Sequence, residues 1–107
     1  MIVVTTEHVP GQQETASLGL VRGSSIRARH IGKDIMAGLR NLAGGEVHEY
    51  SKLLGESREQ AIDRMIEEAE ALGADAIIGV RFQTSMVMQG AAEMLCYGTA
   101  VKLEAAF

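Results

Sequence analysis

Aromatic residues are scarce in this sequence, which has two Tyr, two Phe and no Trp among its 107 residues. Its core must therefore be built from aliphatic side chains and six Met, without the large area that buried aromatic rings contribute. Since two domains of half this length would each have too small a core, we expect a single domain over residues 1–107. A core of this kind favours the burial of further surface between subunits.

Cysteine and proline each occur only once, and long apolar runs are missing. Cys96 cannot form an intrachain disulfide, so a reducing compartment is the simplest interpretation. The N-terminal segment has no basic stretch ahead of its short apolar run, unlike a secretory signal. No run approaches the roughly 18 apolar residues that span a bilayer. We therefore expect a cytoplasmic location and no membrane partner.

An excess of positive charge is also missing, because 10 Lys and Arg stand against 14 Asp and Glu, for a net charge of −4 at pH 7. Contacts with a phosphate backbone need a basic face, so nucleic acid is not an expected partner. Apolar residues make up 47% of the chain and charged residues 22%, which is typical of a globular protein rather than a disordered one.

The apolar residues that are present follow a two-residue period near the N-terminus. Residues 2–5 are all β-branched and predict a short strand, and Pro10 with Gly11 predicts a turn after it. Residues 14–22 alternate, which predicts a second, half-buried strand that ends at residues 23–25. Its expected core-facing residues are Ala16, Leu18 and Leu20.

A helical period replaces this alternation in the middle of the chain. Apolar residues at positions 31, 35, 39 and 42 predict a helix that closes at Gly44 and Gly45. A second helical stretch is predicted from about Val47.

The strongest part of the second helix is expected to follow Ser57, which fits a capping box with Gln60. Gly73 is the expected stop, since glycine readily adopts the left-handed conformation that ends helices. The predicted apolar stripe consists of Ile62, Met65, Ile66, Ala69 and Leu72.

Residues 74–83 and 95–103 predict two further strands, and both are apolar on both faces. Strands of this kind must be covered on both sides. The predicted helices can cover one face of a small sheet, and a second copy of the chain is the simplest cover for the other. We therefore predict an α+β subunit of a homo-oligomer, with an antiparallel sheet of about four strands packed on two helices in the order β-β-α-α-β-β.

Several short phrases mark the chain from one end to the other. They are Thr5-Thr6-Glu7, Gly44-Gly45-Glu46 followed by Tyr50, Arg58 with Ala61, Arg64-Met65, Leu72-Gly73-Ala74-Asp75-Ala76 and Tyr97-Gly98-Thr99-Ala100-Val101. In this order and spacing the chain closely resembles the YbjQ family of small bacterial and archaeal proteins. The resemblance implies a two-layer α+β subunit in a ring-like homo-oligomer, expected to be a pentamer. The family carries a heavy-metal-binding label but no established activity.

A divalent metal ion is the first cofactor to weigh, because the family label proposes a metal. The sequence has no Cys-x-x-Cys, no His-x-x-x-His and no other cluster with zinc-like spacing. Glu46, His48 and Glu49 are the candidate ligands, since a turn into a helix can gather them, although a solvated helix start explains the same residues. Cys96 is expected to be a small buried hydrophobic residue.

An anion is a second candidate ligand. Arg27, Arg29 and Lys33 belong to a basic segment, residues 22–33, that contains no acid and leads into a predicted helix N-terminus. Free backbone amides and the helix dipole favour a phosphate or carboxylate there. The alternative is that these bases pair with acidic residues of a neighbouring subunit, which the excess of carboxylates in the chain favours.

Glu46, Tyr50, Arg58 and Glu68 form a third candidate set. If the helix is continuous, Tyr50 and Arg58 are about two turns apart and can face the same groove. A carboxylate, a phenol and a guanidinium could orient a polar ligand or transfer a proton. The same groups are also a common way to lock a helix pair or an interface through charge-assisted hydrogen bonds.

Three functions remain open from the sequence. The first is an oligomeric binding module that holds a metal ion or small ligand at subunit boundaries. The second is a scaffold oligomer without a small ligand. The third is an enzyme that uses Glu46, Tyr50 and Arg58, although no nucleophile–base pair, nucleotide-binding loop or flavin signature supports it.

Overall fold

The computed structural model describes residues 1–26, 44–88 and 91–106, and the side chains of residues 1–26, 54–85 and 92–106. Within these residues the chain forms four strands and one helix. In chain order they are β1 (Ile2–Val3), β2 (Gln12–Ile26), α1 (Gly44–Ala71), β3 (Ala76–Met88) and β4 (Ala91–Ala105). The helix predicted over residues 31–42 lies outside the described residues, and the predicted α+β class is confirmed.

The four strands form one open sheet in the order β1-β3-β4-β2. β4 runs antiparallel to β3 and to β2, but β1 runs parallel to β3, with Ile2 opposite Ala76 and Val3 opposite Ile77. The sheet is therefore mixed, and the prediction of an entirely antiparallel sheet is wrong. Parallel neighbours need a long connection, which the chain between β1 and β3 supplies through β2 and α1.

α1 is one continuous helix of 28 residues that covers one face of the sheet. The predicted stripe is confirmed at Met65 and Ala69, which are completely buried together with Ala61. Ile62 and Ile66 pack at the margin of the same cluster, whereas Leu72 is exposed because the helix ends before it. Spacings of three and four residues place the buried members on one side of the helix.

Of the two helix ends that the sequence predicted, the structure confirms one. Gly73 is confirmed as the stop: its φ is +77°, its N–H donates to the carbonyl of Glu70 at 3.0 Å, and the N–H of Ala74 donates to the carbonyl of Ala69 at 3.1 Å. The predicted cap at Ser57 is wrong, because α1 begins at Gly44 and runs through Ser57 without a break. The Ser57 side chain is instead used in tertiary packing, as described below.

β2 is longer than predicted, and of the three residues expected to face the core only Leu18 packs against it. Its pairing with β4 shifts register between Glu14 and Ala16 and again between Ser17 and Gly19. Each irregularity inserts residues that break the two-residue alternation. The shift between Ser17 and Gly19 places Leu20 on the face away from α1, while the helix side carries three buried residues: Val21, Gly23 and Ser25. The expected end of the strand at residues 23–25 is therefore also wrong.

The core lies between α1 and the sheet. Its buried residues are Val21, Ala61, Met65, Ala69, Ile77, Val80, Cys96 and Ala100. A smaller buried cluster, formed by Val9, Ala76 and Val101, lies near β1. The prediction that Cys96 is a buried hydrophobic residue is confirmed, since it is completely enclosed.

Candidate functional site

A groove of about 520 Å³ lies where α1 passes the edge strand β2, and we call it the β2 groove. Its main lining residues are Arg22, Ser24, Arg64, Glu68, Glu93 and Leu95. They come from three elements, since Arg22 and Ser24 lie on β2, Arg64 and Glu68 on α1, and Glu93 and Leu95 on β4. The groove is an open depression at the edge of the sheet rather than an enclosed cavity.

The strand register sets the order of the groove residues along β2 and β4. Arg22 lies opposite Tyr97, Ser24 opposite Leu95 and Ile26 opposite Glu93. Residues opposite one another point to the same side of a sheet, so Arg22, Leu95 and Glu93 share the face that α1 does not cover. Arg22 and Glu93 therefore lie two rows apart, with Leu95 in the row between them.

Arg64 connects the helix to the strand in the middle of the groove. Its Nη1 donates a hydrogen bond to the backbone carbonyl of Ser24. A hydrogen bond from a charged donor is stronger than one between neutral groups, so this contact holds the guanidinium against the strand. Glu68, four residues further along α1, lines the same groove.

Most charges of the groove are not used in ion pairs within the described part of the subunit. Among the side chains of residues 1–26, 54–85 and 92–106, the ion pairs are His8 with Glu14 and Lys102 with Asp75. Arg22, Glu68 and Glu93 line one groove, yet none of them pairs with another there. Groups of both signs are therefore available in this groove to a ligand or a neighbouring subunit.

A buried chain of hydroxyl groups fixes the helix against the same end of β2. The Ser57 hydroxyl donates to the Ser25 hydroxyl at 3.1 Å, and the Ser25 hydroxyl donates to Oε1 of Gln60 at 2.8 Å. Both serines are buried. Since buried polar groups are costly unless they are hydrogen-bonded, this chain specifies how α1 lies on β2 and so positions Arg64 and Glu68.

The face of the sheet opposite α1 exposes large apolar side chains. Leu20 and Ile26 of β2 are 62% and 60% exposed. Ile78, in the same row as Leu20 through its pairing with Thr99, is half-buried on this face. Ile78 shows the second apolar side that the sequence predicted for β3, whereas the exposed Leu20 and Ile26 belong to β2, which was predicted to be apolar on one side only.

The structure separates the residues of the predicted polar-ligand set. Arg58 and Glu68 are ten residues apart on one continuous helix, which corresponds to about 15 Å along its axis. Glu68 lines the β2 groove, whereas Arg58 lines a different depression with Glu59 and Asp63. Glu46 and Tyr50 lie in the first turns of α1, in the part whose side chains are not described. A ligand role for each residue stays a prediction, but Arg58 and Glu68 do not share one pocket.

The candidate metal ligands Glu46, His48 and Glu49 lie within α1 rather than in a turn before it. Successive helical residues are rotated by about 100° around the helix axis. The backbone positions of Glu46 and Glu49 therefore lie on the same side of the helix, and that of His48 lies on nearly the opposite side from Glu46. The set stays a prediction.

Within the described side chains, the donor set does not fit a heavy-metal site. No group of three His, Cys, Asp or Glu residues is arranged to hold an ion in that part of the chain. The Cys96 thiol is enclosed and lies 3.5 Å from the thioether of Met65, to which it donates. Burial raises the pKa of this thiol above its ordinary value, which opposes formation of the thiolate that binds metals.

The candidate anion ligands Arg27, Arg29 and Lys33 lie outside the described residues. Their proposed role therefore stays a prediction. Arg22, at the start of the same basic segment, is described and lines the β2 groove.

Sequence reasoning identified Glu68 but missed Arg64, Ser24, Glu93 and Leu95. The spacing of Arg64 and Glu68, four residues apart on a predicted helix, was a usable signal that they share a face. The contributions of β4 were not accessible, because they depend on a strand register that two irregularities in β2 determine.

No helix in the described part of the chain combines the length and apolarity needed to cross a bilayer.

Curated relatives match almost the whole chain. A "UPF0145 protein" of Methanosarcina acetivorans is 61% identical over 103 residues, which cover 96% of this chain and 97% of the relative. A "UPF0145 protein" of Fervidobacterium nodosum is 60% identical and covers 96% of this chain and 95% of the relative. These names describe the relatives and assign no reaction.

A solved structure shares the fold. The crystal structure of a protein of unknown function from Pediococcus pentosaceus, assigned to the DUF74 family, superposes with a TM-score of 0.66. It covers 97% of this chain and 98% of that chain at 18% sequence identity. At this identity the likeness supports the fold alone.

A family model matches residues 1–104 and is described as "Putative heavy-metal-binding". Together with relatives that are more than half identical over nearly the full length, this match confirms the resemblance seen in the sequence. The chain belongs to the YbjQ family.

Proposed function

We propose that this protein is a homo-oligomeric binding module that holds a small polar ligand in the β2 groove, at the boundary between subunits. The observation that carries the proposal is the groove itself, where carboxylates and a guanidinium from three elements line one cavity without pairing with each other. Charged groups that converge in a concave site and lack partners are typical of ligand sites.

The oligomer is the second part of the proposal. Leu20 and Ile26 are largely exposed on the sheet face that α1 leaves open, and burial of such side chains is worth roughly 1.5–3 kcal/mol each. A second copy of the chain would remove this surface from water. Because Arg22, Leu95 and Glu93 share that face, a subunit packed there would lie beside the β2 groove. We propose a ring of five subunits with a cytoplasmic location.

A small polar ligand is favoured over a metal ion by the donor set. The groove offers two carboxylates together with two guanidinium groups, and cations nearby disfavour a metal ion electrostatically. The scaffold alternative requires the same oligomer but no occupant of the groove. An enzyme is not favoured by any arrangement in the described part of the chain.

Native mass spectrometry of the assembly, purified without chelator and compared with denatured subunits, tests both parts. We expect a closed oligomer that carries extra mass, which is released on denaturation. We expect Glu68→Gln to reduce the extra mass and the matched variant Glu67→Gln, an exposed residue one position away, to retain it. A monomer at micromolar concentration would contradict the oligomer, and an oligomer without extra mass would favour the scaffold.

A further inference from the structure

The β2 groove has a charge polarity along its length. Arg22 lies in one row of the sheet and Glu93 lies two rows further along, with opposite charges at the two ends. At about 3.3 Å per residue, the four-residue separation corresponds to about 13 Å of backbone. The two side chains make no ion pair across this distance.

The middle of the groove differs from its ends. Leu95 presents an apolar side chain in the row between Arg22 and Glu93. Arg64 lies beside that row, but its Nη1 is engaged by the Ser24 carbonyl. The Arg64 guanidinium is therefore partly occupied by a hydrogen bond within the protein. The Arg22 guanidinium, in contrast, makes no hydrogen bond to another described side chain or backbone group.

Glu68 adds a second carboxylate to the groove from the helix side. Arg64 precedes Glu68 by four residues, which is the less favourable order for a helical ion pair, and the two do not form one. The contacts of Ser57 with Ser25 and of Arg64 with Ser24 show that α1 runs opposite to β2, so Glu68, one turn beyond Arg64, lies toward the Arg22 end of the groove. Glu93, opposite Ile26, is the carboxylate at the other end. A ligand that spans the groove needs a cationic group for Glu93 and an anionic group for Arg22.

We propose that the ligand of the β2 groove is a zwitterion in which a carboxylate and an ammonium group are separated by an apolar spacer, as in a short peptide or an ω-amino acid. The carboxylate binds Arg22, the spacer lies on Leu95, and the ammonium group binds Glu93. An α-amino acid, whose ammonium and carboxylate groups are attached to the same carbon atom, is too short to reach both ends. This assignment rests on the proposed binding function and specifies the chemical class of the ligand.

Calorimetric titration of the intact assembly with three probes tests the assignment. The probes are 6-aminohexanoate, which carries both charges, and hexanoate and hexylammonium, which carry one each. We expect 6-aminohexanoate to bind on the order of tenfold more tightly than either singly charged probe, because each end adds a charge-assisted hydrogen bond. Glycine, which has both charges without the spacer, should bind no better than the singly charged probes.

Two variants assign the ends of the ligand. Arg22→Gln should lower the affinity for 6-aminohexanoate to that for hexylammonium, while it leaves hexylammonium binding unchanged. Glu93→Gln should lower the affinity for 6-aminohexanoate to that for hexanoate, and it should leave hexanoate binding unchanged. Glu67→Gln is the matched charge control and should change none of these affinities, and circular dichroism of each variant checks that the fold is retained.

The outcomes separate this inference from the proposed function. If the purified assembly carries extra mass but 6-aminohexanoate binds no better than the singly charged probes, the zwitterion assignment is overturned and the binding module stands. If the assembly carries no extra mass and none of the probes binds, both are overturned. An equal loss of affinity for all three probes in Arg22→Gln would also contradict the assignment of Arg22 to the carboxylate end of the ligand.

Discussion

Gly23 of β2 lies directly against the backbone of α1 at Ala61. A Cβ atom built on Gly23 would overlap the carbonyl oxygen of Ala61 and the amide nitrogen of Met65, so only glycine permits this approach of strand and helix. The close approach brings the buried hydroxyl chain and the Arg64 contact within reach of β2. The geometry of the β2 groove therefore depends on a residue that carries no side chain.

Substitution Gly23→Ala should destabilise the subunit, since α1 must move away from β2 to admit the methyl group. Overpacking of this kind costs about 1–3 kcal/mol. Gly55 provides a matched control, because a Cβ there meets only the end of the Arg58 side chain at 3.7 Å. Gly55→Ala lies within α1 and should stabilise by up to about 1 kcal/mol. Urea denaturation of both variants checks the prediction, and an equally stable Gly23→Ala protein would contradict it.

The two buried serines should not be equivalent. Ser25→Ala removes both the acceptor for Ser57 and the donor to Gln60, leaving a buried hydroxyl unsatisfied, at an expected cost of about 1–3 kcal/mol. Ser57→Ala leaves the Ser25–Gln60 bond intact and should cost less. Denaturant midpoints of the two variants and of the double variant give the coupling energy. Equal losses in the free energy of unfolding that simply add in the double variant would show that the hydroxyl chain is not cooperative.

Asp75 should contribute a pH-dependent part of the stability. The N–H of Leu103 donates to its carboxylate at 2.9 Å and lowers the pKa of Asp75 below its ordinary value of 3.8, with Lys102 as a further cause. A depressed pKa gives stability that is present above the ordinary value and is lost as pH falls through the lower, folded value. The thermal unfolding temperature should therefore fall less between pH 6 and pH 2 in Asp75→Asn than in wild type. Asp63→Asn, an exposed residue on α1, is the control.

Cys96 should be unreactive until the subunit unfolds. Burial raises the pKa of its thiol above 9.0, so the native protein holds little thiolate and shields it from solvent. Because the unfolded thiol ionises first, the free energy of unfolding should fall as pH rises above the ordinary value, and Cys96→Ala should not show this decline. Alkylation by iodoacetamide, followed by mass spectrometry, should require denaturant. Rapid alkylation of the native assembly would contradict the buried position.

The predicted metal site at Glu46, His48 and Glu49 has its own test. If it binds a divalent ion, zinc or copper should remain at one equivalent per subunit after dialysis and be lost in His48→Ala. His8 is the control, because its Nδ1 is engaged with Glu14 at 3.0 Å in an exposed pair. Elemental analysis of wild type, His48→Ala and His8→Ala gives the answer. Metal-free wild-type protein with no heat on titration with divalent ions would rule the site out.

The local features of the chain could be predicted from its sequence. The Ile62-to-Ala69 stripe repeats at three and four residues, so it identified the buried side of α1, and Gly73 marked its end because few other residues adopt a positive φ. The apolar character of β3 and β4 on both faces was equally visible. These are properties of neighbouring residues, and a one-dimensional pattern contains them.

The tertiary structure alone decided which residues meet across elements. The parallel pairing of β1 with β3, the register shifts in β2 and the contact between Gly23 and Ala61 all join parts of the chain that are far apart in sequence. The shift between Ser17 and Gly19 reverses which side of β2 faces the core for the residues after it, so Leu20 and Val21 exchanged their expected places. The β2 groove depends on that register, because Glu93 and Leu95 reach Arg22 only through the pairing of β4 with β2. The packing of the whole subunit decides which distant segments pair, so no local spacing in the sequence predicts these pairings.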